Sequence, residues 1–117
     1  MTAAQEAGAR AEEIAARFLA EQGLQVVARN FRTRLGEIDV VARDGATLVF
    51  VEVRLRTRDD YGGALESIDG NKRRRIVAAA NGYLALLGRE PPCRFDVVTI
   101  EERSAHWIRA AFDVAPG

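Results

Sequence analysis

The segment GEIDVVARDGATLVFVEVRLRT, Gly36 to Thr57, contains three carboxylates within two runs that otherwise have the pattern of buried β-strands. The carboxylates are Glu37, Asp39 and Glu52. A buried carboxylate is unfavourable unless it has a partner or a raised pKa. Arg54 follows Glu52 by two residues, and it is either part of a catalytic site or a neutralising partner for the acids.

The dipeptide Asp44-Gly45 between the two runs predicts a β-hairpin with a two-residue turn. The register set by this turn places Glu37 opposite Glu52. Asp39 then lies opposite Phe50, diagonal to Glu52 and on the same face of the hairpin. Both faces of the second strand are mostly apolar, so we expect this strand in the middle of a sheet that is covered on both sides.

The residues before the hairpin predict a helix, a strand and a turn. The helix covers residues 4–22, because apolar residues recur at three- and four-residue spacing and Gly23 is a natural stop. Glu12 falls on the border of its apolar stripe. A first strand, Leu24 to Phe31, and the basic turn RTRLG then lead into the hairpin.

The residues after the hairpin predict a loop, a helix and two strands. The loop is RTRDDYGGALESIDGN, with a short helical turn at 64–68. Asp69 is a candidate N-cap for the second helix, which ends at Gly88. The strands are RFDVVTI from Arg94 and HWIRAAFDV from His106. The predicted fold is a mixed α/β arrangement in one domain, residues 1–117, with the order helix, three strands, helix, two strands.

The composition excludes several classes of protein. The chain of 117 residues is 48% hydrophobic, enough for a core, and its net charge of zero excludes the uniformly basic surface of a histone-like protein. The basic residues are instead concentrated, with seven arginines against four acids from Arg29 to Arg58. Cys93 is the single cysteine, which excludes an intrachain disulfide. Apolar runs are only strand-sized and residues 1–18 lack a signal-peptide pattern, so we expect a cytoplasmic protein without membrane association.

Three compensations are open for carboxylates that share a sheet face: nearby arginines, protonation, or a divalent cation. Mg²⁺ and Mn²⁺ prefer such oxygen ligands, and Mg²⁺ completes its shell with water and substrate phosphate. A cation held by Asp39 and Glu52 can orient a water for attack on a phosphodiester. The alternative is a static ion-pair network in which Arg54 and Arg56 neutralise the acids.

The run KRRR, Lys72 to Arg75, begins the second helix, where cations oppose the helix dipole and would be favoured by a bound anion. Lys72 precedes the core residue Ile76 by four positions, so we expect it to point toward the acid-bearing edge of the sheet. For Arg73 to Arg75, a solvated first turn is an equally good explanation. The candidate contacts to nucleic-acid phosphates are Arg32, Arg34, Arg56, Lys72 and Arg73.

Five segments together resemble the bacterial YraN-type proteins, which are similar to archaeal Holliday-junction resolvases. They are GARAEEIAARFL, RNFRTRLGEIDVVARDG, LVFVEVRLRT, NKRRRIVAAANGYL and RFDVVTI, and they occur in this order over nearly the whole chain. The resemblance implies the restriction-endonuclease-like fold of the PD-(D/E)xK superfamily, in which a mixed sheet lies between helices. Resolvase relatives are dimers, so it also implies a homodimer.

The resemblance also implies roles for individual residues. Asp39 and Glu52 match the two acids of the motif and would hold Mg²⁺ or Mn²⁺, and Glu12 matches the helix glutamate that completes the site. Lys72 lies where the family usually has lysine. Arg54 departs from the motif, which has lysine there; it keeps the charge but cannot lose its proton, so it cannot act as a general base.

Three hypotheses for the function follow. The first is a Mg²⁺-dependent nuclease that acts on DNA, including branched or structured DNA. The second is a nucleic-acid-binding module of the same fold that cleaves weakly or not at all, for which Arg54 is the sequence argument. The third is an interaction protein in which the acids form a static ion-pair cluster.

Overall fold

The computed structural model describes residues 1–56 and 68–113. Within these residues, seven elements follow one another in the predicted order: α1 (Ala3–Glu21), β1 (Gln25–Arg32), β2 (Glu37–Asp44), β3 (Thr47–Leu55), α2 (Gly70–Leu87), β4 (Cys93–Glu101) and β5 (Ser104–Phe112). The helical turn predicted at 64–68 lies, apart from Ile68, outside the described residues. The described elements confirm the mixed α/β class.

The five strands form one sheet in which spatial order equals sequence order. All neighbouring strands are antiparallel except β3 and β4, which are parallel. Parallel neighbours need a long connection, and α2 lies between these two strands in the chain. We call the end of the sheet where β1 finishes, β2 begins and β3 finishes the acidic end, because Asp39 and Glu52 lie there.

The sheet separates two apolar cores, as expected for a central strand that is buried on both sides. On one side α1 contributes Ala11, Ala15 and Leu19, which pack with residues such as Val49. On the other side α2 packs its own apolar residues against a cluster that contains Phe50. Alternate residues of β3 therefore enter different cores, which explains why the whole strand is apolar in sequence.

The predicted hairpin register is wrong by two positions. Asp44 pairs with Thr47, so the two-residue loop is Gly45-Ala46 and not Asp44-Gly45. Gly45 has φ 60, and a glycine with positive φ at the first loop position is typical of a type II′ turn. The corrected register no longer pairs Asp39 with Phe50 or Glu37 with Glu52.

Side-chain and backbone caps determine where the helices begin and end. Thr2 accepts a hydrogen bond from the backbone N–H of Gln5, so α1 begins one residue earlier than predicted. The predicted N-cap of α2 is confirmed, because the Asp69 Oδ1 accepts from the backbone N–H of Lys72 at 2.9 Å. Gly88 ends α2 in the left-handed conformation, as expected.

Asp96 is a fully buried carboxylate in β4, and no role was predicted for it. It accepts hydrogen bonds from Arg94 Nε at 3.1 Å, from Trp107 Nε1 at 2.9 Å and from the Ala110 backbone N–H at 2.8 Å. A charge that is buried with this many donors is stabilised in place. Asp96 is therefore structural, and it joins β4 to β5.

Candidate functional site

Asp39 and Glu52 lie side by side at the acidic end of the sheet. The last pair of the β2–β3 ladder is Val40 and Val51, and Asp39 and Glu52 are the next residues beyond it on their strands. Their relative exposures are only 9% and 5%. The Asp39 Oδ2 accepts a hydrogen bond from the backbone N–H of Val53 at 2.8 Å. The sequence prediction that these acids lie together holds, because their carboxyl groups are close enough to interact directly.

The backbone is irregular at Asp39, and this irregularity lets it meet groups from both sides of the sheet. Ile38 packs in the core on the α2 side, whereas Val40 packs on the α1 side. Residues two apart in a regular strand share a face, so the alternation is interrupted at Asp39. In β1, Arg29 pairs with Val40 and Phe31 pairs with Ile38. Asn30, between them, has a left-handed backbone with φ 53.

Burial and mutual repulsion make both carboxyl groups harder to ionise. Burial, followed by the charge of Glu52, raises the pKa of Asp39 to about 7. Burial also raises the pKa of Glu52. The two carboxyl groups are close enough to hydrogen bond to each other, which raises the pKa of Asp39 further and opposes the rise in the pKa of Glu52. Two negative charges at this pair are therefore unfavourable in the absence of a cation.

Two cations lie near Glu52 and oppose the effect of burial on its pKa. Lys72 Nζ and Arg54 Nε are each 3.7 Å from Glu52 Oε1. Lys72, followed by Arg54, favours the ionised carboxylate. The prediction that Lys72 points toward the acids is confirmed by its contact with Glu52. Lys72 lies about one turn before the buried Ile76, so both residues face the sheet. Arg54 contacts Glu52 as a neutralising partner.

Glu12 reaches the same pair from α1. It follows the buried Ala11, is itself partly buried, and hydrogen bonds to Asp39 and to Asn30. Burial, followed by the charge of Asp39, raises the pKa of Glu12. The predicted helix glutamate is thus adjacent to the acid pair. Asp39 is the middle member of the three carboxyl groups, since it contacts both Glu12 and Glu52.

Asp39 and Glu52 supply two carboxylate ligands, a set that fits Mg²⁺ or Mn²⁺. Within residues 1–56 and 68–113, no three His, Cys, Asp or Glu side chains converge on a common ion position. Mg²⁺ is usually bound by one or two carboxylates, with waters and substrate phosphate completing the shell. Asp39 and Glu52 would therefore hold the ion, while Glu12 lies beside it.

A cleft of about 420 Å³ on the α2 side is lined by Lys72, which connects it to Glu52, although neither Asp39 nor Glu52 lines the cleft. Four cations and one acid are among its lining residues: Arg32, Arg34, Lys72, Arg75 and Glu37. Glu37 is an exposed partner of Arg32, whose Nε lies 3.3 Å from Glu37 Oε2. A second cleft, of about 480 Å³, opens on the α1 side and is lined by Glu12, Asn30 and Arg32 among others. Arg32 thus borders both clefts.

The arginines predicted to contact phosphates are not all in one place. Arg32 and Arg34 line the cleft on the α2 side with Lys72. Arg56 follows β3 at the acidic end and is exposed, but it does not line that cleft. Arg73 points elsewhere, because its Nε donates to the Ile68 carbonyl at 3.1 Å and its guanidinium lies 5.4 Å from the centre of the Phe112 ring.

Sequence reasoning missed two residues of this region. Arg75 lines the α2-side cleft, although the sequence offered no way to choose it over the other arginines of KRRR. Asn30 contacts Glu12 and adopts a left-handed backbone, which asparagine tolerates better than most residues. An asparagine interrupting an apolar strand was the available signal for Asn30.

Fold and site together define a class: a mixed α/β protein with a buried pair of carboxyl groups at one end of its sheet and a cation-lined cleft beside them. The uncharacterised protein family UPF0102 matches residues 11–100, and the chain belongs to this family. This membership confirms the resemblance to YraN-type proteins.

Individual relatives match over most of their length. A UPF0102 protein of Nitrosospira multiformis is 53% identical over 92% of this chain and 92% of its own. A UPF0102 protein of Dechloromonas aromatica is 57% identical over 90% of this chain and 87% of its own. In the part of the chain that the structure describes, no helix is long and apolar enough to cross a membrane.

Proposed function

We propose that this protein is a divalent-metal-dependent nuclease that hydrolyses phosphodiester bonds in DNA, including branched or structured DNA. The observation that carries the proposal is the pair of buried carboxyl groups, Asp39 and Glu52, which contact each other beside a cation-lined cleft. The resemblance to the PD-(D/E)xK superfamily supports the same assignment to these two residues.

Asp39 and Glu52 would hold Mg²⁺ or Mn²⁺, and the bound ion would supply an acidified water and neutralise charge on the phosphate oxygens. Their raised pKa values support this role. Burial and mutual repulsion disfavour two negative charges at this pair, and a bound cation would offset both effects. Glu12 assists by holding Asp39 from the α1 side.

Lys72 stabilises the charge that develops on the phosphate. Its ammonium lies beside Glu52 and its side chain lines the α2-side cleft. Lys72 is therefore close to Glu52 and to the surface along which we expect the DNA to bind. Fixed cations placed where charge develops are effective in a site with little water. Arg54 contributes permanent charge near Glu52 and, because it stays protonated, does not accept a proton from the attacking water.

Arginines around the α2-side cleft position the rest of the substrate. Arg32, Arg34 and Arg75 present guanidinium groups to neighbouring phosphates without reading base sequence. Arg56 extends this charge at the same end of the sheet. We also propose a homodimer, as in the resolvases that the sequence resembles, and sedimentation velocity of the purified chain tests it directly.

A cleavage assay tests the nuclease proposal. Supercoiled plasmid, linear duplex and four-way junction DNA are incubated with the wild-type protein and Mg²⁺, Mn²⁺ or EDTA. We expect cleavage that needs the metal and falls at least about 100-fold in the isosteric variant Glu52→Gln. Glu90→Gln, an exposed glutamate in the α2–β4 connection, is the matched control and should cleave normally. Cleavage that persists unchanged in Glu52→Gln would contradict the proposal.

The second candidate is a nucleic-acid-binding module that does not cleave efficiently. The observation that favours it is Arg54, because the motif has a lysine at this position. The Arg54 Nε lies 3.7 Å from Glu52 Oε1. On this account the wild type binds DNA without cutting it. The variant Arg54→Lys should then gain metal-dependent cleavage, while the absence of any gain would show that Arg54 is not the limiting defect.

A further inference from the structure

The loop between β1 and β2, residues 33–36, is tightly braced by its own hydrogen bonds. The backbone N–H of Thr33 donates to the Gly36 carbonyl at 2.8 Å. The Thr33 hydroxyl accepts from the backbone N–H groups of Leu35 and Gly36, both at 3.1 Å. In this short loop both the backbone and the Thr33 side chain form hydrogen bonds, so the loop has little freedom to change its conformation.

The same loop is seated directly on α2. A Cβ added to Gly36 would overlap the carbonyl oxygen of Arg75, so this glycine marks a close approach of two backbones. A Cβ added to Gly82, two turns further along α2, would lie 3.2 Å from the Thr33 methyl group. The loop is therefore fixed relative to Lys72 as well, since Lys72 lies on the same helix.

Leu35 projects from this fixed loop into solvent, with 67% of its surface exposed. A single exposed leucine is ordinary in itself. This one lines the α2-side cleft together with the four cations described above. A single apolar side chain beside four cations and one acid suits a polyanion that also offers apolar base surfaces.

We propose that Leu35 packs against an unstacked base of bound nucleic acid and thereby makes the protein prefer DNA whose bases are already unstacked. The inference rests on the nucleic-acid binding of the proposed function, and not on cleavage. Inserting an apolar side chain into an intact duplex requires unstacking. A bulge or fork has already lost that stacking, so contact with Leu35 favours such sites over a regular duplex.

Fluorescence anisotropy in EDTA tests the inference. Two labelled duplexes of equal length are compared, one fully paired and one with a two-nucleotide bulge. We expect the wild type to bind the bulged duplex about tenfold more tightly, and Leu35→Ala to lose this preference through weaker binding to the bulged DNA alone. Leu35→Met should retain the preference. Leu86→Ala is the matched control, because Leu86 is 79% exposed and does not line the cleft.

The possible results separate this inference from the proposed function. A wild type that binds neither duplex would overturn the inference, whereas the metal-dependent cleavage assay tests the proposed function separately. A Leu35→Ala protein with an unaltered preference, or with equally weakened binding to both duplexes, would overturn only the inference. The inference also fails if sedimentation shows that Leu35→Ala converts a dimer into a monomer, because Leu35 would then belong to a protein interface. Circular dichroism of each variant confirms folding.

Discussion

Among single residues, the buried carboxyl groups of Asp39 and Asp96 have different environments. Asp96 is surrounded by N–H donors from Arg94, Trp107 and the backbone of Ala110. Asp39 receives one backbone donor and faces Glu52, a second acid. Asp96 therefore stabilises the fold, whereas ionised Asp39 destabilises it at neutral pH, as expected of a group retained for a ligand or for chemistry.

The raised pKa of Asp39 predicts a pH-dependent stability. Between about pH 4 and pH 7 the folded chain keeps a proton on Asp39 that the unfolded chain releases, so the free energy of unfolding falls as pH rises through this window. The variant Asp39→Asn mimics the protonated form, so its free energy of unfolding should not fall with pH for this reason. In urea titrations with EDTA, the stability of wild type minus Asp39→Asn should fall by roughly 2 kcal/mol from pH 5 to pH 8. A difference that is constant across this range would contradict the raised pKa.

Lys72 should be needed for the rate of cleavage. We expect Lys72→Met to reduce the rate about 100-fold at saturating metal, since it removes a cation beside the reacting phosphate. Arg74→Met is the matched control, because Arg74 lies in the same turn of α2, is exposed and does not line the cleft. Equal rates for Lys72→Met and wild type, measured with both proteins folded, would assign Lys72 a purely structural role.

At the scale of elements, the site is assembled from strand ends and a helix start that local sequence patterns located well. The prediction that Asp39 and Glu52 lie together holds despite an error of two positions in the turn, because both residues lie just beyond Val40 and Val51, the last pair of the β2–β3 ladder. The direction of Lys72 followed from its spacing to Ile76, which helical geometry makes reliable. Arg75 and Asn30 were missed because their contacts depend on how the β1–β2 loop meets α2 and how β1 meets α1, which local patterns do not encode.

The close contact between Gly36 and α2 predicts a sensitive position. Gly36→Ala should lower the free energy of unfolding by about 1–3 kcal/mol, because the added methyl group must displace backbone. Gly8→Ala is the matched control, since a Cβ added at Gly8 would meet nothing within 4 Å and alanine is the better helix former. A Gly36→Ala protein as stable as wild type in urea titration would show that the loop is not held against α2.

At the scale of the whole molecule, zero net charge means that any affinity for DNA must come from a local surface. The α2-side cleft provides four cations at the acidic end, and it would account for the proposed DNA binding without a uniformly basic protein. The two helices and the mixed sheet place this cleft and the acid pair next to each other. The scaffold was predictable from hydrophobic pattern, while the shape of the cleft was not.

Salt dependence measures how many of these cations contact phosphate. If three or four do so, log affinity for duplex DNA should fall against log salt concentration with a slope of about −3. Arg75→Ala should make the slope shallower by about 1, and Arg74→Ala, outside the cleft, should leave it unchanged. Identical slopes for Arg75→Ala and wild type would place the DNA elsewhere.

On the proposed function, Asp39 and Glu52 form a divalent-cation site and not a static ion-pair cluster. The most direct test of this claim is titration of the protein with Mn²⁺ at pH 8, with free Mn²⁺ followed by electron paramagnetic resonance. We predict one bound ion per chain in wild type and in Glu90→Gln, and at least about tenfold weaker binding in Glu52→Gln. Wild-type protein that binds Mn²⁺ no better than Glu52→Gln would contradict the claim.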